Sequence, residues 1–574
     1  MKESLLLSYS PELIQSIGEE LALPDVKRLR MVCRVLADAL AYIVLHKLTF
    51  EISRRNMTRG VEMVKTLATV EPEHVACYAS RKISIGLLSP AYDRYSPSGR
   101  YIDGVWVIDP PREDPPEVTM AEELLKNNLF AAIASLKNVH TVEWKTDERN
   151  QPFIHAIIID ALKTLPNLCN IQIDFSKAEV PLEFDLLLGR EKISVFTERS
   201  TELQQEEIFD KLAKAIAHNP VLTSLNVRGI MHYQRPIFDN TQSLHQLFKY
   251  HASTMPPLRL RELRLRSMFV RLDHVTLPHL THLTTLHLEE IDEPSENASH
   301  SLSRRFGRGA SAGLSKDREK YESSVESIWD VLRVAGVRLQ NITVTSISSS
   351  FLDYLSSYSG LIKLNLETSG LQDGESSDAM AARFYDGRLN SHVRSLESLQ
   401  ITASFEGLWC FGAHNVKTIS CLTNLRNLGM TIRYMDLAVA NNPKEDAIKR
   451  LIDMTLECMP NIQSIEVKFA SLEMDRNALC GTASMQRARC VYEKMLECVG
   501  NYIAPFAYKR TLLPTLTVGS DTVFVTGHEC VKPDGINSDK QLGNDTTSRM
   551  GGVRLKYVSI PEDDEPSWLR FIYI

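Results

Sequence analysis

A six-residue frame, apolar-x-x-apolar-x-apolar, recurs along the middle of this 574-residue chain and constrains its fold more than any other feature. It stands at Val139-Val142-Trp144, Leu168-Ile171-Ile173, Leu222-Leu225-Val227, Leu260-Leu263-Leu265 and Leu283-Leu286-Leu288. It returns at Leu339-Ile342-Val344, Leu361-Leu364-Leu366, Leu396-Leu399-Ile401, Leu425-Leu428-Met430 and Ile462-Ile465-Val467. Recurrence at this density is an internal repeat, and a fold built from a repeat buries each unit against its neighbours. The last three residues of each frame alternate apolar and polar, which demands a short strand with two side chains facing a core.

Between frames the period changes from two to that of a helix. Phe153 to Leu165 carries Ile154, Ile157, Ile158, Ala161, Leu162 and Leu165 at helical spacing, and Glu445 to Met459 carries Ile448, Leu451, Ile452, Leu456 and Met459. One strand and one helix per unit, stacked, give an α/β solenoid, here expected over residues 75–503. The pattern resembles the leucine-rich repeat, which implies a horseshoe with strands on its concave side. Frame starts lie from 22 residues apart (Leu339 to Leu361) to 56 apart (Leu283 to Leu339), so the repeats are irregular. A degenerate repeat is expected at Ile193-Ser194-Val195-Phe196, and Ile83-Ser84-Ile85 is expected as a first strand. No frame carries an asparagine after its strand. Residues 293–320, rich in Ser, Gly and charge, are expected as a disordered insertion. The tail, 504–574, reads as a β-rich cap or tail with strands at Leu516–Val518, Val523–Val525, Val553–Val558 and Phe571–Ile574.

The first fifty residues differ. Pro11-Glu12 opens a helical pattern with Leu13, Ile14, Ile17 and Leu21, and Pro24-Asp25 opens a second with Val26, Leu29, Val32 and Cys33. A run from Val35 to Leu48 is expected to complete a three-helix unit. The stretch 8–48, ending its second pattern in Arg28-Leu-Arg-Met-Val-Cys-Arg34, resembles the F-box, with Tyr9-Ser10 and Leu36 departing from the family's opening Leu-Pro and its aromatic. That resemblance implies docking on the Skp-type adaptor of a cullin-based ubiquitin ligase through Pro11, Glu12, Leu13, Ile14, Ile17, Leu21, Val26, Leu29, Val32 and Cys33. Together with degenerate leucine-rich repeats it implies an SCF-type substrate receptor of the fungal kind, non-catalytic, with a protein substrate as second partner. The repeat alone implies only a protein-interaction scaffold, which stands as the alternative.

Composition narrows the function further. With 65 basic and 72 acidic residues the net charge is −7, which gives no global signal for nucleic acid or an anionic membrane. No apolar run reaches the roughly 18 residues of a membrane span, and no targeting segment is evident, so a cytoplasmic or nuclear site is expected. Ten irregularly spaced cysteines suit a reducing compartment. There is no Walker, zincin or nucleophile-elbow motif, and no cofactor or metal is expected. Cys410, His414 and Cys421, and His528 with Cys530, lack a full ligand set. Gly307–Gly313 lacks the lysine of a phosphate loop. Uniform βα units, as an enzyme barrel requires, are also missing.

Outward strand positions remain as the place for recognition: Glu143, Gln172, Asn226, Arg264, His287, Thr343, Asn365, Gln400, Gly429 and Glu466. Arg264 and Arg266 alternate with Leu263 and Leu265 and so share a face, next to Arg228 of the preceding frame and His287 of the following one. A guanidinium fork suits a carboxylate or phosphate, which makes Arg228, Arg264, Arg266 and His287 the candidate substrate-binding residues. Glu262 and Glu289 stand close enough in sequence to offset them.

Overall fold

The computed structural model describes residues 9–71, 74–91, 99–102, 105–108, 113–175, 184–198, 200–229, 242–252, 254–291, 328–368, 374–437, 446–472, 482–504, 512–519, 522–530 and 553–560. Residues 293–320, the glycine-rich Gly307–Gly313 and the strand expected at Phe571–Ile574 lie outside these. The chain divides into two units, Met1–His282 and Leu283–Ile574.

The first unit begins with four short helices, α1 (Pro11–Glu19), α2 (Leu23–Arg30), α3 (Arg34–Ala39) and α4 (Ala41–Val44). The third helical run therefore stops at Val44 instead of Leu48. Leu48, Phe50 and Ile52 alternate with exposed Thr49 and Glu51 and form a strand, β1 (Lys47–Ile52), so period two overrides the helical reading there. Then come α5 (Met57–Thr69), α6 (Val75–Ala79), β2 (Lys82–Leu88), a hairpin of β3 (Gly99–Ile102) and β4 (Val105–Ile108), and α7 (Pro116–Ala134). Strands β5 (Thr141–Lys145), β6 (Asn170–Asp174), β7 (Lys192–Phe196), β8 (Ser224–Arg228) and β9 (Glu262–Arg266) alternate with α8 (Pro152–Lys163), α9 (Glu202–Ala217) and α10 (Leu244–Phe248). Strand order is β1-β2-β5-β6-β7-β8-β9, every pair parallel.

Local chemistry sets the helix starts. Proline occupies the first turn of α1, α2, α7 and α8, where its missing N–H costs nothing. Thr201 and Gln204 form a capping box on α9.

The second unit repeats the scheme with β10 (Thr285–Glu289), β11 (Asn341–Val344), β12 (Lys363–Glu367), β13 (Ser398–Thr402), β14 (Asn427–Ile432), β15 (Ser464–Phe469) and β16 (Thr515–Val518) in one parallel order. Antiparallel β17 (Thr522–Cys530) and β18 (Val553–Ser559) follow. Parallel pairing thus begins before residue 75 in the first unit, where Leu48 aligns with Ile83, and extends past 503 in the second, where Leu516 and Val518 align with Ile465 and Val467. Each unit is a strand–helix stack on a mostly parallel sheet, an arrangement consistent with a solenoid-like repeat.

Frame residues on one side of each sheet are buried: Ile83, Val142, Ile193, Leu225, Leu364, Leu399, Ile465 and Leu516 are all within 1% of full burial. At the strand entrances one carbonyl of each repeat accepts two successive N–H groups of the next, as when Glu191 receives Thr223 and Ser224, and Glu397 receives Arg426 and Asn427. At the exits, where asparagine is missing, buried threonines tie neighbouring turns. Thr197 Oγ1 donates to the Arg228 carbonyl (2.9 Å), and Thr431 Oγ1 donates to Ile401 (3.2 Å) while accepting the Ala403 N–H (2.9 Å). Thr345 accepts the Glu290 N–H at 2.7 Å. A short hydroxyl satisfies the buried backbone that the longer amide would otherwise reach.

Candidate functional site

Helices α1 to α4 enclose a small core of Ile14, Val26, Leu36, Ala39 and Leu40, with Leu29, Cys33, Ile43 and Val44 packed against it. Gly18 permits the close approach of α1, since a Cβ there would lie 2.6 Å from Leu40 and 2.7 Å from Ile43. The rest of the apolar set points away from that core. Leu13 is 53% exposed, Val32 70% and Met31 87%, and Ile17, Leu21, Leu23, Val35 and Tyr42 are exposed as well.

This division corrects two expected docking residues. Ile14 and Val26 are 1% and 0% exposed and hold the unit together from inside, so neither can touch a partner. Leu29 and Cys33 are half-buried against the same core. Leu36, a departure from the family pattern, is also interior. Pro11, Glu12, Leu13, Ile17, Leu21 and Val32 stay at the surface.

Met31 and Val35 join the surface set although the helical pattern gave them no role. The reason is a break: Met31 caps α2, and Cys33 is extended (φ −160°, ψ 165°) before α3 begins, so residues 31–32 leave the packed face. Arg28 pairs with Asp25 at 2.8 Å, and Arg30 Nε donates to the Ala37 carbonyl at 3.2 Å.

A second candidate is the strand face opposite the buried frame residues. In the first unit the register aligns Thr49, Ser84, Glu143, Gln172, Ser194, Asn226 and Arg264. In the second it aligns His287, Thr343, Asn365, Gln400, Gly429, Glu466 and Thr517. Gln400 Nε2 donates to Glu466 Oε2 at 2.9 Å across Gly429, where a Cβ would come 2.9 Å from Gln400 Cγ. Burial opposes ionisation of Glu143, yet Lys82 at 2.5 Å and Lys47 at 3.1 Å hold its carboxyl below the usual range.

Arg228 and Arg266 are direct neighbours in register, and Arg264 lies two residues before Arg266 on the same face. Their partners differ. Arg264 is bound to Glu262 at 2.6 Å, and Glu262 also accepts the Ser224 hydroxyl. Arg266 faces Glu198 at 3.7 Å. Arg228 lies over the Phe196 ring, 4.4 Å from its centre, and makes no ion pair with a described residue. His287 stands in the row of the second unit. Phe196 is an outward aromatic missed in the sequence, where Val195-Phe196 reads as the end of a degenerate frame.

Among the described residues no group of three His, Cys, Asp or Glu side chains is placed to hold a metal ion, and no helix is long and apolar enough to cross a membrane. Cys410 is buried, which pushes its thiol up to about 12, and the His414 ring hydrogen-bonds the Leu408 carbonyl.

No protein-family model matches the chain, and the comparison with curated proteins found no match. Among solved structures it is similar to "Crystal structure of Rad7 and Elc1 complex in yeast", at 11% identity and a TM-score of 0.34, covering 81% of this chain and 94% of that one. That degree of likeness is too low to bear on fold or function.

Proposed function

We propose that this chain is the substrate-recognition subunit of an SCF-type E3 ubiquitin ligase. In this reading the surface of α1–α4 docks on a Skp-type adaptor and the strand faces hold a protein substrate. The supporting observation is the apolar surface of Leu13, Ile17, Leu21, Met31 and Val32, left exposed by helices whose sequence resembles the F-box. A small helical unit with most of its large apolar side chains outward has more apolar surface than its own core uses, and contiguous patches of this kind mark interaction sites. The chain would catalyse nothing itself. Its contribution would be effective concentration, since two binding modules on one scaffold make ubiquitin transfer nearly intramolecular.

The test is co-precipitation of purified Skp-type adaptor by the full chain and by Leu13→Asp and Val32→Asp variants. Both residues are exposed, so folding should persist, while a carboxylate buried unpaired at the interface costs several kcal/mol and should abolish capture. Equal capture by wild type and both variants would refute the assignment.

A further inference from the structure

We propose that Ser10 is a phosphorylation site, modified by a proline-directed serine kinase, and that its phosphate releases the chain from the adaptor. This names the regulation of the docking surface described above and rests on that reading. Three Ser-Pro dipeptides occur in the chain, at Ser10, Ser89 and Ser96. Ser89 is 1% exposed, and Ser96 lies outside the described residues. Ser10 is exposed and extended (φ −66°, ψ 153°), with Pro11 following it in the first turn of α1, and its side chain does not cap the helix. Its hydroxyl is therefore at the surface, where a kinase base must reach it.

Position gives the phosphate its effect. Ser10, Leu13 and Ile17 are spaced by three and four residues and so share one face of α1, whereas Ile14 and Gly18 fill the buried one. Leu13 and Ile17 are 53% and 39% exposed and belong to the docking surface, so Ser10 stands at its head. The Ser10 carbonyl accepts the Ile14 N–H at 3.1 Å, which ties the serine to the helix that carries both leucine and isoleucine.

In the transfer the Ser10 Oγ attacks the γ-phosphorus of ATP, the bond from that phosphorus to its bridging oxygen breaks, ADP leaves, and the hydroxyl proton passes to the kinase's base. The product carries roughly −1.5 to −2 charges at pH 7. No cation of α1 offsets them, because Pro11–Glu19 holds Glu12 and Glu19 and neither lysine nor arginine. Glu12 is a neighbouring anion, its carboxyl held below the usual range first by its own backbone N–H and then by the Ser10 hydroxyl. A negative group at the N-terminus of α1 suits the helix dipole, so the fold survives the change. Docking does not, since a dianion taken from water onto an apolar partner surface without a cation to meet it is costly.

The experiment compares capture of purified Skp-type adaptor by the full chain unmodified, with Ser10 replaced by genetically encoded phosphoserine, and as Ser10→Ala. The expected result is more than about tenfold weaker capture by the phosphoserine chain, restored by phosphatase, with Ser10→Ala equal to the unmodified chain. A second arm treats the unmodified chain with a purified cyclin-dependent kinase and ATP and maps the phosphate by mass spectrometry. Ser10 should be labelled, and adaptor bound beforehand should slow the labelling because docking covers the serine. Equal or stronger capture by the phosphoserine chain, or no labelling of Ser10 in the free chain, would overturn the proposal. Capture that ignores the phosphate leaves the receptor reading standing, whereas no capture by the unmodified chain removes both.

Discussion

Mild acid should destabilise the first unit from within, through His155 and His279. Both are buried, 1% and 4% exposed. Burial is the main cause that lowers each imidazole from 6.5 to about 4, opposed at His155 by the charge of Asp147 and reinforced at His279 by neighbouring His251. His279 stacks on Phe248 at 4.4 Å and accepts the Leu258 N–H at Nδ1, so it is held neutral by a bond that protonation would break. His155 lies 6.0 Å from the Trp144 ring, and neither of its nitrogens has a hydrogen-bond partner among the described residues.

The sign follows from linkage. A folded-state value below the unfolded one means that the unfolded chain binds more protons between the two, so the stability present above 6.5 is lost as pH falls toward 4. A shift of this size is about 3 kcal/mol per histidine over the whole interval, and about 2 kcal/mol of it is gone by pH 5. Carboxylates with lowered values, such as Asp273 at about 2, lose their contribution only below the carboxylate range, so pH 5 to 6.5 isolates the histidines. Urea unfolding of wild type and His155→Leu at pH 7 and pH 5 provides the assay. The variant removes an unsatisfied buried polar ring, so it should match or exceed wild type at pH 7 and lose about 2 kcal/mol less on going to pH 5. Identical pH dependence in the two proteins would refute the reasoning.

Two further substitutions probe the repeat junctions. Gly229→Ala places a Cβ 2.6 Å from both Gln242 Oε1 and the Ser267 carbonyl, and should cost about 1–3 kcal/mol in urea unfolding. Thr431→Val keeps the shape but orphans the buried Ala403 N–H, with an expected loss of about 1–3 kcal/mol and faster amide exchange at that position.

The strand ladder was legible because alternation over five residues has one solution when a face is buried. The ten frame-centre residues from Glu143 to Glu466 stand in the outward rows of the two units. What sequence could not carry was the choice made by tertiary context. Leu48 satisfies a helical and a strand pattern equally, and pairing with Ile83 decides for the strand. The buried threonines replace a recognised asparagine with a residue common everywhere, so Thr197 and Thr431 give no signal until their partners are seen. Side-chain direction was the largest loss in the helical unit. Periodicity groups Leu13 with Ile14 and Val26 with Val32, whereas the break at Cys33 and the packing of α1 on α3 and α4 send one of each pair inward and the other out. Among the arginines, charge alone could not distinguish Arg264, bound to Glu262, from Arg228, whose guanidinium carbon lies over the Phe196 ring.

Amide hydrogen exchange of the full chain, with and without purified Skp-type adaptor, tests the central claim most directly. The account predicts slowed exchange in 11–21 and 31–35, little change in the ladder from β2 to β9, and the same pattern in Arg228→Ala. Adaptor that leaves 11–21 and 31–35 unprotected, or that protects the strand ladder instead, would contradict it.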